Sequence, residues 1–291
     1  MYQRSIAAIS LAVAALVMVA CHKENYPGTL PEEKITKIYE ASVFTSKMKI
    51  PGTTEWKTVT KTNERHLAHE FTWEDNRIES FEDHNLDRFY SFNYDEKGRI
   101  VRIICDSDTD YSRTLSYNDH GQLARSEGSI KQSDGTLLST QTLVYTWENG
   151  LLKSIEEDTW NHYPGEEEIT SKATHSYTWE NGNVISTKRR IVKSNGEVSE
   201  TEYNYQYSTD INPLHGFVYL LDPYRGLIFD YEGVDCLSKN LPSRITSPTN
   251  NRQEFSYTGS PITSVEKHII GDSSPILNVT IDYTLDFEYS R

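Results

Sequence analysis

The stretch DSDTD from Asp106 to Asp110 has the alternating oxygen ligands with which a calcium-binding loop begins. Such a loop also needs a glycine after its first five residues and a bidentate glutamate at its end. Tyr111 and Tyr117 occupy those two positions in this chain. The stretch is therefore interpreted as an acidic hairpin turn, and no metal site is predicted from it.

Two histidines and a glutamate lie close together in His66-Leu67-Ala68-His69-Glu70. This order differs from the H-E-x-x-H of helical zinc sites, and residues three apart on a β-strand point to opposite faces. We therefore expect no zinc site here.

Six acidic residues, Glu156 to Asp158 and Glu166 to Glu168, flank the Pro164-Gly165 turn. Paired carboxylates cleave glycosidic bonds when they share a walled cleft and have separated pKa values. A hairpin tip is solvated, so no catalysis is predicted there. The sequence also lacks a G-x-S-x-G motif, a phosphate-cradling glycine loop and a cysteine–histidine pattern. We expect no enzyme and no cofactor.

Aromatic residues are abundant, with 19 tyrosines and 5 tryptophans, and aromatic rings on a half-open sheet can stack on sugar rings. Packing between strands accounts for most of them, because they precede chain reversals. Trp56 and Trp160 lie outside that pattern and are the candidates for an exposed ligand-binding platform. Phe217 and Tyr219 belong to an irregular apolar stretch and are further candidates for ligand binding.

The chain begins with a targeting segment at residues 1–21. Arg4 precedes an apolar run from Ile6 to Val19, and the small residue Ala20 directly precedes Cys21, as a lipobox requires. The run is shorter than the roughly 20 residues that a membrane-spanning helix needs. We therefore predict lipidation at Cys21 and attachment to an envelope membrane, followed by a polar tether over residues 22–34.

The remaining composition limits the partners and the redox chemistry. With a net charge of −14, the chain repels phosphate backbones, so nucleic acid is not an expected partner. Cys105 and Cys236 are the cysteines left after lipidation. Export permits a disulfide between them, but two cysteines 131 positions apart are also easily explained as small buried hydrophobic residues.

A repeated pattern predicts the fold. An aromatic, a polar and an aromatic residue are followed by a turn and then an aliphatic residue, and YTWENG occurs at both 145–150 and 177–182. Asn-Gly suits a two-residue type I′ turn, whereas Gly98 and Gly121 suit longer turns with a left-handed residue. Each turn places an aromatic residue opposite an aliphatic one. The pattern therefore predicts β-hairpins.

Turn markers recur every ten to seventeen residues, which leaves room for single strands and not for helices. The sequence thus predicts one all-β domain over residues 35–291, an antiparallel up-and-down meander forming a curved or barrel-like sheet. Residues 208–243 break the rhythm and are predicted to be an irregular insert that packs across one end or face. Between 122 and 132 the alternation is poor, which predicts a sheet region exposed on both faces. Lysine, glutamate and aspartate interrupt the strands too often for a membrane-spanning barrel.

The lipobox, the copies FNYDEKGRI, SYNDHGQL and YTWENG, and the break at Asn212-Pro213 followed by SKNLPSRI resemble the lipoproteins of unknown function from Bacteroidetes that have a porin-like β fold. The turn motif alone is also similar to that of tyrosine-aspartate repeat proteins, which carry more copies. The first resemblance implies an up-and-down, barrel-like sheet and an envelope location, which we predict to be the outer membrane, and it brings no catalytic residues. Lys23-Glu24 partly resembles a signal for display on the cell surface.

Together these features predict a lipid-anchored envelope protein that acts as a binding or assembly module, with a glycan or an envelope protein as its partner. The alternative is a carrier that holds a lipid or other hydrophobic ligand inside the sheet. A third possibility is an enzyme with its site in the 208–243 insert.

Overall fold

The computed structural model describes residues 34–74, 77–106, 110–162, 168–216, 234–247, 252–271 and 277–290. These ranges contain sixteen β-strands: β1 (Ile35–Lys49), β2 (Trp56–Glu74), β3 (Arg77–Asp83), β4 (Arg88–Tyr94), β5 (Ile100–Asp106), β6 (Asp110–Tyr117), β7 (Leu123–Lys131), β8 (Leu137–Glu148), β9 (Leu151–Asn161), β10 (Ile169–Glu180), β11 (Asn183–Lys193), β12 (Val198–Ile211), β13 (Asn240–Thr246), β14 (Arg252–Thr258), β15 (Ser264–Ile270) and β16 (Leu277–Tyr289). One short helix, α1 (Val234–Leu237), precedes β13.

Each strand pairs antiparallel with its neighbours in the chain, and β16 returns to pair with β1, from Ile35 with Tyr289 to Met48 with Leu277. The sheet is therefore a closed barrel. This confirms the predicted all-β, up-and-down meander and answers whether the sheet closes, which the sequence left open.

The barrel has two different ends. All copies of the aromatic–turn–aliphatic pattern reverse the chain at one end, where β2, β4 and the other even-numbered strands finish. We call this the motif end. The opposite end carries the long β1–β2 hairpin, and we call it the ribbon end.

The turns of the motif end have the predicted backbone. Asn149 and Gly150 have φ of 52° and 80°, and Asn181 and Gly182 have 52° and 79°. Two consecutive residues with positive φ form a type I′ turn, whose twist matches that of the strands it joins.

Aromatic side chains link the hairpins of the motif end. The last aromatic residue of every even-numbered strand donates a hydrogen bond to a backbone carbonyl near the start of the preceding odd-numbered strand. These bonds run from Trp73 to Ile35, Tyr94 to Ile78, Tyr117 to Ile100, Trp147 to Leu123, Trp179 to Leu152, Tyr207 to Val184, Tyr257 to Pro242 and Tyr289 to Ile262. The repeat thus does more than place apolar partners opposite each other, because it also satisfies each ring donor.

At the ribbon end, β1 and β2 continue beyond their other neighbours. β2 pairs with β3 only from His69 onward, whereas it pairs with β1 from Trp56. β16 follows β1 to Leu277, whereas β15 reaches only Thr280 on β16. The result is a three-stranded ribbon of β16, β1 and β2 that extends past the wall.

Side chains alternate between the interior and the outer wall. In β10, Ala173, His175 and Tyr177 are buried inside, and Lys172 and Ser176 are exposed outside, as the sequence pattern predicts. Inward residues from around the barrel form one apolar core that includes Ile38, Leu143, Tyr205, Ile245 and Phe255.

The prediction that residues 122–132 are exposed on both faces is wrong. Ser126 and Gly128 point inward and are buried. A Cβ at Gly128 would lie 3.2 Å from Nη2 of Arg113, so the guanidinium of Arg113 covers this part of β7. Ser126 and Gly128 are therefore buried, because the large Arg113 side chain packs over them.

The irregular segment is shorter than predicted, because β12 continues to Ile211 and β13 begins at Asn240. Its described ends pack on the motif end. The Ser238 hydroxyl accepts a hydrogen bond from Val184 N at 3.1 Å, and the Asn212 side-chain amide donates to Ser238 O at 2.8 Å. Leu214 and Leu237 are buried in the core.

Candidate functional site

The barrel interior holds a polar cluster that begins at Arg113 on β6. This side chain is only 5% exposed. It donates to the Tyr111 hydroxyl at 2.7 Å, to the Ser126 hydroxyl at 2.8 Å and to the side-chain oxygen of Gln141. The last bond connects β6 to β8, across β7.

Glu157 on β9 continues the cluster, with 3% exposure. Its Oε1 accepts hydrogen bonds from Gln141 at 3.0 Å and from Thr159 at 2.7 Å. Its Oε2 lies 2.9 Å from Nε2 of His175, which is fully buried on β10. The cluster therefore joins neighbouring strands from β6 to β10 through charged and polar side chains.

A buried charge is tolerated only when it is paired and hydrogen-bonded, and that condition accounts for this arrangement. Both carboxylate oxygens of Glu157 have partners, so we interpret the cluster as a packed polar core. The prediction that Glu157 lies at a solvated hairpin tip is therefore wrong. The signal that was missed is its parity, because Glu157 lies two residues after the inward Ile155.

The outer wall is polar. Exposed side chains on β9 to β12 include Glu156, Asp158, Lys172, Lys188, Arg190, Glu200 and Glu202. They form ion pairs across strands, with Lys172 Nζ 3.1 Å from Asp158 Oδ1 and Lys188 Nζ 3.1 Å from Glu200 Oε2.

A groove of about 450 Å³ crosses this wall on β8 to β11, toward the ribbon end. Strand register builds it from two parallel rows of side chains. The first row is Thr140, Trp160 and Thr170, and the second is Thr142, Asp158 and Lys172, which Val192 continues. Rows two residues apart along a strand are separated by about 7 Å.

Trp160 is the aromatic surface of the groove. Its ring stacks on His162 with 5.9 Å between centroids and 18° between planes. Its indole N–H donates to the Glu168 carboxylate. The indole is therefore held in one orientation, with a carboxylate, an ammonium and three threonines around it.

The structure does not bring the predicted platform residues together. Trp56 begins β2 at the tip of the ribbon and is 42% exposed, whereas Trp160 belongs to the groove. Cys21, Phe217 and Tyr219 lie outside the described residues. The same holds for most of the DSDTD stretch and for the Pro164-Gly165 turn.

The structure also does not join the two cysteines to each other, nor the histidines His66 and His69. No disulfide joins Cys105 and Cys236, both of which the structure describes, and each is a buried member of the core. The structure therefore agrees with the interpretation of both cysteines as small buried hydrophobic residues, and not with a disulfide between them. The His66 ring is exposed and lies 2.9 Å from the Asn85 side-chain oxygen, whereas the His69 ring lies inside the barrel, tilted by 36° against the Phe81 ring with 5.4 Å between centroids.

A cluster of one histidine and two glutamates lies on the outer wall, and the sequence pattern does not predict it. Nδ1 of His84 lies 3.5 Å from Glu82, and Nε2 lies 3.9 Å from Glu70, whose other oxygen is 3.3 Å from Lys37 Nζ. The ligand atoms of the two glutamates and the histidine are close enough to hold a metal ion. Ion pairing accounts equally well for their positions.

In the described ranges, no helix is long and apolar enough to cross a membrane.

No family model and no curated protein matches the chain. Two porin-like proteins are among the solved structures that resemble it in fold. A porin-like protein from Bacteroides vulgatus is 12% identical, covers 89% of this chain and 99% of its own, and has a TM-score of 0.48. A porin-like protein from Bacteroides uniformis is 13% identical, covers 90% of this chain and 100% of its own, and has a TM-score of 0.46.

Proposed function

We propose that this protein is a lipid-anchored protein of the cell envelope, without enzymatic activity, whose barrel binds glycans in the groove at Trp160. The observation that carries the proposal is the pair of rows in that groove. One row offers a fixed aromatic face between two threonines, and the other offers Asp158 and Lys172.

The chemistry of a sugar fits these two rows. The C–H face of a pyranose ring packs on an indole, and its hydroxyl groups need hydrogen-bond donors and acceptors within about 3 Å. Asp158 accepts such bonds, Lys172 donates them, and threonine does both. A few placed polar groups beside an aromatic surface are typical of ligand sites.

The polar outer wall supports a barrel that stands in water beside its membrane. A bilayer-spanning barrel carries an outward apolar band about 25 Å tall, whereas exposed lysine, arginine, aspartate and glutamate occupy this wall. The lipobox at Cys21 supplies the attachment to the outer membrane. β1 begins at the motif end, so the ribbon end and its nearby groove point away from the entry of the chain.

The groove favours this function over that of a hydrophobic carrier. A carrier needs space inside the sheet, and the inward side chains Leu143, Ile155 and Tyr177 are buried among one another in the core. An enzyme site in the irregular segment has no support from its described ends, where Leu214 and Leu237 are packed in the core.

A glycan array tests the binding. It uses the purified chain without residues 1–21, so that the protein carries no lipid and stays in solution. Isothermal titration with each glycan that binds should show loss of binding in Trp160→Ala, and at least tenfold weaker binding in Asp158→Asn. Trp56→Ala is the matched control and should bind as the unmodified chain does. An array without any bound glycan, or a bound glycan indifferent to Trp160→Ala, would refute the proposal.

The anchor is tested separately in cells. Labelling with a clickable palmitate analogue should modify the full chain and not the Cys21→Ser variant, which should leave the membrane fraction. Protease treatment of intact cells then distinguishes surface display from the periplasmic leaflet. Unchanged labelling of Cys21→Ser would exclude lipidation at this residue.

A further inference from the structure

The edge of β2 at the ribbon end is the second unusual surface of the molecule. From Trp56 to Glu64, no described strand pairs with the side of β2 that faces away from β1. Pairing on that side resumes farther along, where His84 N donates to Ala68 O at 2.9 Å. All residues from Trp56 to His66 are exposed. An open edge of this length is a template for another strand.

The direction of the free backbone groups follows from the hairpin. Ile50 N donates to Glu55 O at 2.9 Å, and the register from there to Ser42 and Asn63 has no bulge. Hydrogen-bonded pairs alternate along an antiparallel ladder, so residues 57, 59 and 61 bond to β1. The N–H and C=O groups of Thr58, Thr60 and Thr62 therefore point outward from the edge.

The side chains along this edge determine which kind of strand could pair with it. Lys57, Val59 and Lys61 share the face that continues the barrel interior, and they lie opposite Met48, Ser46 and Phe44. Val59 is 47% exposed and Met48 is 53% exposed. The stretch from Trp56 to Thr62 contains two lysines and no acidic residue, although the chain as a whole has a net charge of −14.

We propose that this edge binds an extended acidic peptide by β-strand addition, in the pattern acidic–x–aliphatic–x–acidic. Residues directly opposite each other on neighbouring strands interact, so the two acidic side chains would face Lys57 and Lys61 and the aliphatic one would face Val59. The main-chain bonds would form with Thr58, Thr60 and Thr62. This inference does not depend on glycan binding or on the lipid anchor.

A second copy of the chain is a poorer occupant of the same edge. Two β2 edges paired antiparallel with Val59 opposite Val59 would place Lys57 of one copy opposite Lys61 of the other, and like charges directly opposite are unfavourable. Lysines on an edge strand protect against self-association for this reason. They leave the edge selective for a partner of opposite charge.

The test measures binding of fluorescein-labelled Thr-Glu-Thr-Val-Thr-Glu-Thr to the purified chain by anisotropy. A scrambled isomer, Thr-Glu-Val-Thr-Glu-Thr-Thr, has the same composition but puts its acids on opposite faces. We expect the first peptide to bind at least about tenfold more tightly, with affinity that falls as salt rises. Equal affinity for the two peptides, or binding of neither, would overturn the proposal.

Three variants separate strand addition from plain charge attraction. Thr60→Pro removes one outward N–H without breaking a bond to β1, a position where an edge strand tolerates proline. It should weaken binding about tenfold, and Thr60→Ala should not. Lys57→Glu/Lys61→Glu should abolish binding of the acidic peptide. The same variant should bind Thr-Lys-Thr-Val-Thr-Lys-Thr, in which lysines replace the two glutamates. Full binding by Thr60→Pro, with its circular dichroism unchanged, would rule out strand addition.

Discussion

The motif end and the ribbon end of the barrel use the same strands in opposite ways. At the motif end, each even-numbered strand carries near its end an aromatic ring that donates a hydrogen bond to a carbonyl of the strand before it, and short turns follow β4, β6, β8, β10 and β14. At the ribbon end, β2 runs on with exposed side chains and an open edge. One end therefore concentrates contacts that stabilise the fold, and the other leaves backbone and lysine side chains accessible to a partner.

The largest expected difference between the ends comes from their tryptophans. Trp147 packs on the core and donates to Leu123 O at 2.7 Å. Trp147→Ala should lower the free energy of unfolding by about 3 kcal/mol, because it removes the packing of a half-buried ring on the core and the hydrogen bond to Leu123 O. Trp56→Ala, at the exposed tip, should change it by no more than about 0.5 kcal/mol. Urea denaturation followed by circular dichroism measures both, and equal losses would contradict the comparison.

Alkaline pH should weaken the motif end through its tyrosines. Burial raises the pKa of Tyr94 and of Tyr117 to about 12, from an ordinary value of 10.0. The unfolded chain then loses these protons at a lower pH than the folded chain does. The stability they contribute is complete below pH 10 and is lost as the pH rises from 10 toward 12.

Melting temperatures between pH 8 and pH 12 test this expectation. The double variant Tyr94→Phe/Tyr117→Phe keeps the rings and removes both titrating groups, so its melting temperature should fall less steeply above pH 10. Parallel curves for the two proteins would show that these hydroxyls do not contribute to the alkaline loss.

The sequence predicts much of the motif end, because its turns and the residue pairs that flank them are local. Asn149-Gly150 fixes a turn, and the turn fixes which aromatic faces which aliphatic residue. The hydrogen bonds from the rings were not predicted, since Trp147 reaches Leu123 on a strand of a different hairpin. The closure of the barrel depends on β1 pairing with β16, and nothing local to Ile35 or Tyr289 specifies that partner.

The charged residues Arg113 and Glu157 of the interior cluster escaped prediction for a different reason. Both have the composition of a wet surface, and only their shared parity with Leu115 and Ile155 places them inside, whereas the alternation along β10 predicts that His175 shares the buried face of Tyr177. A charge can occupy an inward position when several strands supply its partners together, and hydropathy along one strand does not report such partners. The groove at Trp160 was likewise half predicted: the tryptophan was singled out, but the register that sets Asp158 and Lys172 beside it was not.

Turn glycines offer a smaller test, of whether the two ends differ in their turns or in the contacts behind them. Gly150 at the motif end and Gly135 in the β7–β8 turn at the ribbon end have φ of 80° and 85°. A Cβ at either position would meet no atom within 4 Å. Each glycine-to-alanine variant should therefore lose about 1–2 kcal/mol from backbone strain alone. Unequal losses in urea denaturation would place part of the difference between the ends in the turns themselves.

The smallest effect is expected from Val59→Ala on the ribbon. Val59 is 47% exposed and stands opposite Ser46, so truncating it should change the free energy of unfolding by less than about 0.5 kcal/mol. Leu152→Ala, at a fully buried position of the motif end, is the matched comparison and should cost about 2–5 kcal/mol. If Val59→Ala instead destabilises the chain as much as Leu152→Ala, the ribbon is a packed part of the fold. The open edge of β2 would then be covered, and it could not serve as a site for another strand.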